Sequence, residues 1–122
     1  MKNPETSPAE VQILSHPPVA PRLTPALIES VIAHEFYFTA GQAVAGQDAS
    51  QLTGLAAESL NKLTVCVLIL VNGFTVTGEA APVYTENFDV DLGRKLAREH
   101  AKQKIWALEG YLLKERLKHA QP

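Results

Sequence analysis

The chain has 122 residues, 46% of them hydrophobic and 20% charged, which suits one small globular domain that burial stabilises only narrowly. Its longest apolar run, Val65 to Val71, is too short to span a bilayer, and the opening MKNPETSPAEVQ lacks the charged-then-apolar pattern of a secretory signal, so a cytoplasmic protein is expected. The net charge of −2 hides a polarity: residues 1–89 carry −6 and residues 90–122 carry +4, and a net acidic chain lacks the broad positive field that duplex nucleic acid requires.

Residues 1–23 hold five prolines, Pro4, Pro8, Pro17, Pro18 and Pro21. Each removes an amide donor and biases its predecessor away from helix, so an extended arm is expected ahead of a single domain at 24–118 and a short tail at 119–122. At LTPALIESVIAHEF, Thr24 suits an N-cap and Pro25 the first helical position. Leu27, Ile28, Val31 and Ile32 recur at helical spacing and predict a helix that ends near Phe38 to Ala40. The glycine-punctuated AGQAVAGQDASQLTG predicts a loop or a short helical turn; it lacks the Gly-Lys-Ser/Thr ending of a phosphate loop.

LILVNGFTVTGE predicts a β-hairpin. Asn72-Gly73 supplies the two positive-φ positions of a type I′ turn, which sets Val71 opposite Phe74, Ile69 opposite Val76 and Leu68 opposite Thr77. One face then carries Val65, Val67, Ile69, Val71, Phe74 and Val76 and is the expected core. The other mixes Thr64, Cys66, Leu68 and Leu70 with Thr75, Thr77 and Glu79, and calls for partial cover by another element or subunit. A last helix is expected from about residue 90 to 117, capped by Asn87 or Asp89. Leu92, Leu96, Ala101, Ile105, Leu108 and Leu112 line one face, and a small-residue row of Gly93, Ala97 and Ala101 permits close approach to a neighbour. The fold class is therefore α+β: an N-terminal helix, a two-stranded antiparallel hairpin and a long C-terminal helix. Homo-oligomerisation is expected to complete it, because the mixed sheet face and WALEGYLL leave apolar surface open.

YFTA (37–40), NGFTVTGEA (72–80), ENFD (86–89), GRKLARE (93–99) and IWALEGYLLKERL (105–117) together resemble the small tailed-phage and prophage family typified by accessory proteins of coliphage N-four and Shigella phage Sf-six. The resemblance spans about residues 24–117. It implies a phage-encoded protein acting in the cytoplasm of the infected bacterium, and it brings no established activity and no catalytic residues.

The residues themselves speak more for binding than for catalysis. Glu79, Glu86 and Asp89 sit at a strand end and a helix cap, where solubility and capping account for them. The histidines are scattered, and His34-Glu35 lacks the second histidine of a zinc-protease helix. The lone Cys66 has no neighbouring base and reads as a small core residue. Arg94, Arg98, Lys102 and Trp106, by contrast, recur every fourth residue and form one ridge. Guanidinium groups grip phosphate and an indole stacks on a base, so the ridge has the parts needed for a nucleotide, with Glu79 and Asn87 as further ligand-binding candidates. The same spacing also describes a solvated helix face with Asp91 and Lys95 paired and Trp106 in the core. The function expected is a non-enzymatic phage binding protein that counters host defence, most concretely a sponge for a small anionic cyclic nucleotide, with no cofactor, no metal and no membrane contact. An inhibitor docked on a host protein and a small nucleotide-processing enzyme are the alternatives.

Overall fold

The computed structural model describes residues 22–84, 86 and 88–120. Nearly all of the expected arm, and the candidate Asn87, lie outside these described residues.

Helix α1 (Pro25–Ser30) opens as expected, with Thr24 Oγ1 accepting from the Leu27 amide at 3.1 Å. It stops after six residues rather than near Phe38, and strand β1 (Ile32–Thr39) takes its place. Leu27 and Ile28 are the only buried residues of the helix. From His34 onward the cross-strand pairing sets His34, Phe36 and Phe38 on one face and Glu35, Tyr37 and Thr39 on the other. That two-residue period serves a strand and cannot serve a helix. The expected loop is instead helix α2 (Ala40–Asp48), a 3₁₀ turn at Ala49–Gln51 and helix α3 (Gly54–Leu60). A capping box starts α2: Thr39 Oγ1 accepts from the Gln42 amide, and Gln42 Oε1 accepts from the Thr39 amide.

Strands β2 (Thr64–Leu70) and β3 (Thr75–Ala80) form the expected hairpin with a different turn. Among the described residues only glycines have positive φ, so Asn72 does not adopt the conformation that a type I′ turn needs. The Gly73 amide donates to Leu70 O and the Leu70 amide to Phe74 O, both at 2.8 Å. Val71, Asn72 and Gly73 thus make a three-residue loop, a tight turn followed by a glycine bulge at φ +89°. The extra loop residue shifts β3 by one position, so Leu68 faces Val76 and Cys66 faces Gly78. A one-residue slip exchanges the faces of a strand. The core face is accordingly the one expected to be mixed: Thr64, Cys66, Leu68, Leu70, Val76 and Gly78 are buried. Of the expected core, Val65, Val67 and Ile69 are half-buried on the outer face, and Val71 and Phe74 at the hairpin end are exposed. β1 pairs antiparallel with β2, so a three-stranded sheet in the order β1-β2-β3 replaces the two-stranded one.

Helix α4 (Val90–Ala120) lies across the inner face of this sheet, against β2 and β3. The Asp89 carboxylate accepts from the Asp91 and Leu92 amides at 3.0 and 3.1 Å and caps it. The expected small-residue row packs on the hairpin. A Cβ added to Gly78 would overlap Ala97 O and Ala101 N, and one added to Gly93 would come 2.8 Å from Thr64 Oγ1. The helix backbone therefore rests directly on β3. Only Ala97, Ala101 and Ile105 of α4 are buried, while Leu92, Leu96 and Leu112, expected on the buried face, flank the contact half exposed.

Two substitutions test this packing. Gly78→Ala forces α4 off the sheet and is expected to cost about 3 kcal/mol. Gly73→Val, which strains only the loop, is expected to cost roughly 1 to 2 kcal/mol. Thermal melts that rank them the other way, or leave Gly78→Ala unchanged, contradict the close approach.

Candidate functional site

With Ala97 and Ala101 pressed on the sheet, the 100° step of the helix turns Arg94, Arg98 and Lys102 toward β1 and α1. Arg98 is fully engaged there. Its Nη1 and Nη2 donate to the two carboxylate oxygens of Glu29 at 2.9 and 2.7 Å, and its Nε donates to Glu35 Oε2 at 2.6 Å. Lys102 Nζ stands 2.9 Å from Glu29 and 3.2 Å from Glu99. Hydrogen bonds from Arg98 and then Lys102 hold the Glu29 carboxyl down at about 2, and the same bonds raise the pKa values of Arg98 and Lys102. Two members of the ridge thus spend their charge inside the molecule, pinning α1 and β1 to α4.

Arg94, one turn earlier, meets no carboxylate among the described residues. Its guanidinium carbon lies 5.6 Å from the centre of the Tyr37 ring. Burial, ahead of the neighbouring Cys66 and Glu35, pushes the Tyr37 hydroxyl up to about 12, so the phenol stays neutral under Arg94. Beside Arg94 opens a cavity of about 120 Å³ between the first turns of α2 and α4. Its polar lining is Thr39, Gln42 and Thr64, and Phe38, Phe88 and Val90 complete the wall. Thr64 is 4% exposed, and its hydroxyl has no hydrogen-bond partner among the described residues. Lys62 Nζ sits 5.9 Å over the Phe88 ring and is likewise free of carboxylates among the described residues. Arg94, the Thr64 hydroxyl and the aromatic walls, with Lys62 beyond Phe88, have the chemistry to hold a phosphate-sized anion with an apolar group attached.

The other candidates lie apart. Trp106, two turns beyond Arg98, is 37% exposed, so it is not a core residue. Glu79 is on the β3 side of α4, where its amide donates to His100 Nδ1 at 3.0 Å. Because that nitrogen accepts, the 3.9 Å approach of the Glu79 carboxylate to it is not an ion pair. Lys62, Thr64, Gln42 and Phe88 escaped the search for charged periodicity, since they come from a strand, a helix and two separate connections. The one local signal was the Thr-x-x-Gln spacing at 39–42, which marks a helix start. Cys66 is fully buried, and burial pushes its thiol up, away from thiolate chemistry. No group of three or more metal-ligating side chains occurs among the described residues, and no helix among them is long and apolar enough to cross a membrane.

A small α+β domain with an ion-paired helix face and a compact cavity beside Arg94 is the class that this geometry defines. The chain belongs to the phage protein (N4 Gp49/phage Sf6 gene 66) family, whose model matches residues 23–117. No curated protein and no solved structure matches it.

The ion network has a pH signature. The folded pKa of Glu29 lies below its unfolded value, so its stabilisation is complete above about pH 5 and is lost as pH falls toward 2. The carboxylate is 44% exposed, and solvent screening leaves on the order of 1 kcal/mol. Melting temperature against pH should fall more steeply below pH 5 for the wild type than for Arg98→Gln; parallel curves would exclude this coupling.

Proposed function

We propose that this phage protein is a non-enzymatic binder of a small phosphate-bearing molecule, most concretely a sponge that retains a cyclic nucleotide signal of host defence in the cytoplasm of the infected bacterium. The observation that carries this reading is the division of the ridge: Arg98 and Lys102 are consumed by carboxylates, whereas Arg94, beside a cavity that the buried Thr64 hydroxyl also lines, meets no carboxylate among the described residues. Phosphate suits these groups because a guanidinium and a hydroxyl both donate to it. A cavity of about 120 Å³ takes the phosphate alone. The base then lies outside it, near Phe88, whose other side borders an apolar cleft with Leu92 and Leu96. Among the described residues lining the cavity no paired acid and base is present to activate the Thr39 or Thr64 hydroxyl, which favours retention over turnover.

A second reading has its own observation. On the outer face of the sheet Phe36 is 55% exposed among half-buried Phe38, Val65, Val67 and Ile69, a surface suited to docking on a host protein.

Incubating the protein with cyclic mono- and dinucleotides, removing the unbound fraction, then denaturing it and assaying what is released separates the possibilities. Intact nucleotide supports a sponge, a cleaved product an enzyme, and no uptake a protein partner. Arg94→Glu is expected to weaken uptake by roughly ten- to a hundredfold with little change in melting, from the 1.5 to 3 kcal/mol typical of a charge-assisted bond. Arg98→Glu is expected to lower the melting temperature. Normal uptake by Arg94→Glu removes the pocket from this account.

A further inference from the structure

The two ends of α4 differ in what supports them. Thirty-one residues make a rod of about 46 Å, while a seven-residue strand spans only about 23 Å, so roughly the last dozen residues of the helix run past the sheet. A helical segment of that length is marginal in water without a packed face. Its apolar side chains are nevertheless open: Tyr111 is 69% exposed, Leu112 46% and Leu117 37%. Beside the start of this overhang, between α4 and the hairpin end, lie two adjoining cavities of about 580 and 220 Å³ that share Phe74, Leu108 and Tyr111.

We propose that the occupant of this groove is the α4 overhang of a second copy, in a two-fold antiparallel pairing centred near Gly110. The register follows from charge and apolar pattern together. Lys104, Leu108, Tyr111, Leu112 and Glu115 share one helix face by their spacing of three and four. An antiparallel partner centred between residues 109 and 110 sets Leu108 against Tyr111 and, with the same centre, Lys104 against Glu115, with Leu112 flanking the seam. Lys104 lines the larger cavity and has no ion pair among the described residues. Among the described residues Glu115 meets only His119 Nε2 at 3.5 Å, a contact that is ionic only when the imidazole is protonated. Each copy thus supplies a free cation and a free anion at self-complementary positions, as an isologous interface demands. The outer sheet face offers no such matched pair.

Sedimentation of the full chain tests this, with circular dichroism to show that each variant is folded. The wild type is expected to be a dimer at micromolar concentration. Lys104→Glu and Glu115→Lys should each weaken it by about tenfold. The double exchange, Lys104→Glu with Glu115→Lys, should restore it, and Leu112→Arg should give a folded monomer. A wild type that stays monomeric at about 100 µM overturns the proposal. So does a dimer indifferent to both charge reversals and to Leu112→Arg, or one lost only on Phe36→Asp.

Discussion

Everything in this fold is arranged around one contact, the backbone of α4 lying on Gly78 of β3. Where Ala97 and Ala101 touch the strand there is no room for a Cβ, so that point of the layer between helix and sheet is glycine against alanine, and Cys66, Leu68, Leu70, Val76 and Ile105 pack around it. That closeness fixes the rotation of the helix. With residues 97 and 101 facing the strands, residues 94, 98 and 102 must point toward β1, and residues 100 and 104 toward β3. The direction of the charged side chains of α4 that lie over the sheet follows from this rotation.

The rotation also divides labour along the basic side. Glu29 on α1 and Glu35 on β1 rise to meet Arg98 and Lys102, so these cations fasten the first two elements to the last. A surface ion pair alone contributes little, but here one guanidinium spans two carboxylates on two elements and one of those carboxylates is shared by a lysine. Arg94 is a single turn away and finds the ring of Tyr37 instead. Neither it nor Lys62 meets a carboxylate among the described residues. The proposed counterpart is a phosphate-bearing molecule, a reading that rests on the chemistry beside Arg94.

The elements differed in how far their residues disclosed them. Helix α4 was legible because its cap, its apolar period and its glycine–alanine row all agree, and a local rule suffices for each. The hairpin was legible as a hairpin, since a glycine with positive φ serves both a two-residue and a three-residue loop. Its register was not, because the choice between them turns on Val71 and Phe74, which both tolerate either pairing. Hydrophobicity then pointed to the wrong face: Val65, Val67 and Ile69 are more apolar than the row containing Cys66 and Gly78, but only the smaller row admits the helix backbone. β1 was hidden for a related reason. Val31 and Ile32 continue the helical spacing of Leu27 and Ile28, and only pairing with β2, a contact across some thirty residues, decides for a strand. The ridge on α4 was visible as periodicity, but not its division, because Glu29 and Glu35 lie more than sixty residues away. The cavity beside Arg94 draws on four elements and left no signal in any one of them.

The claim at the centre of this account is that Arg94 is available to an anion and Arg98 is not. The Nε–Hε resonances of the two arginines report this directly when wild-type protein is titrated with inorganic phosphate. The account predicts that the Arg94 signal shifts and saturates while the Arg98 signal, held by Glu35 and Glu29, stays in place. Movement of Arg98 with Arg94 unaffected would contradict it.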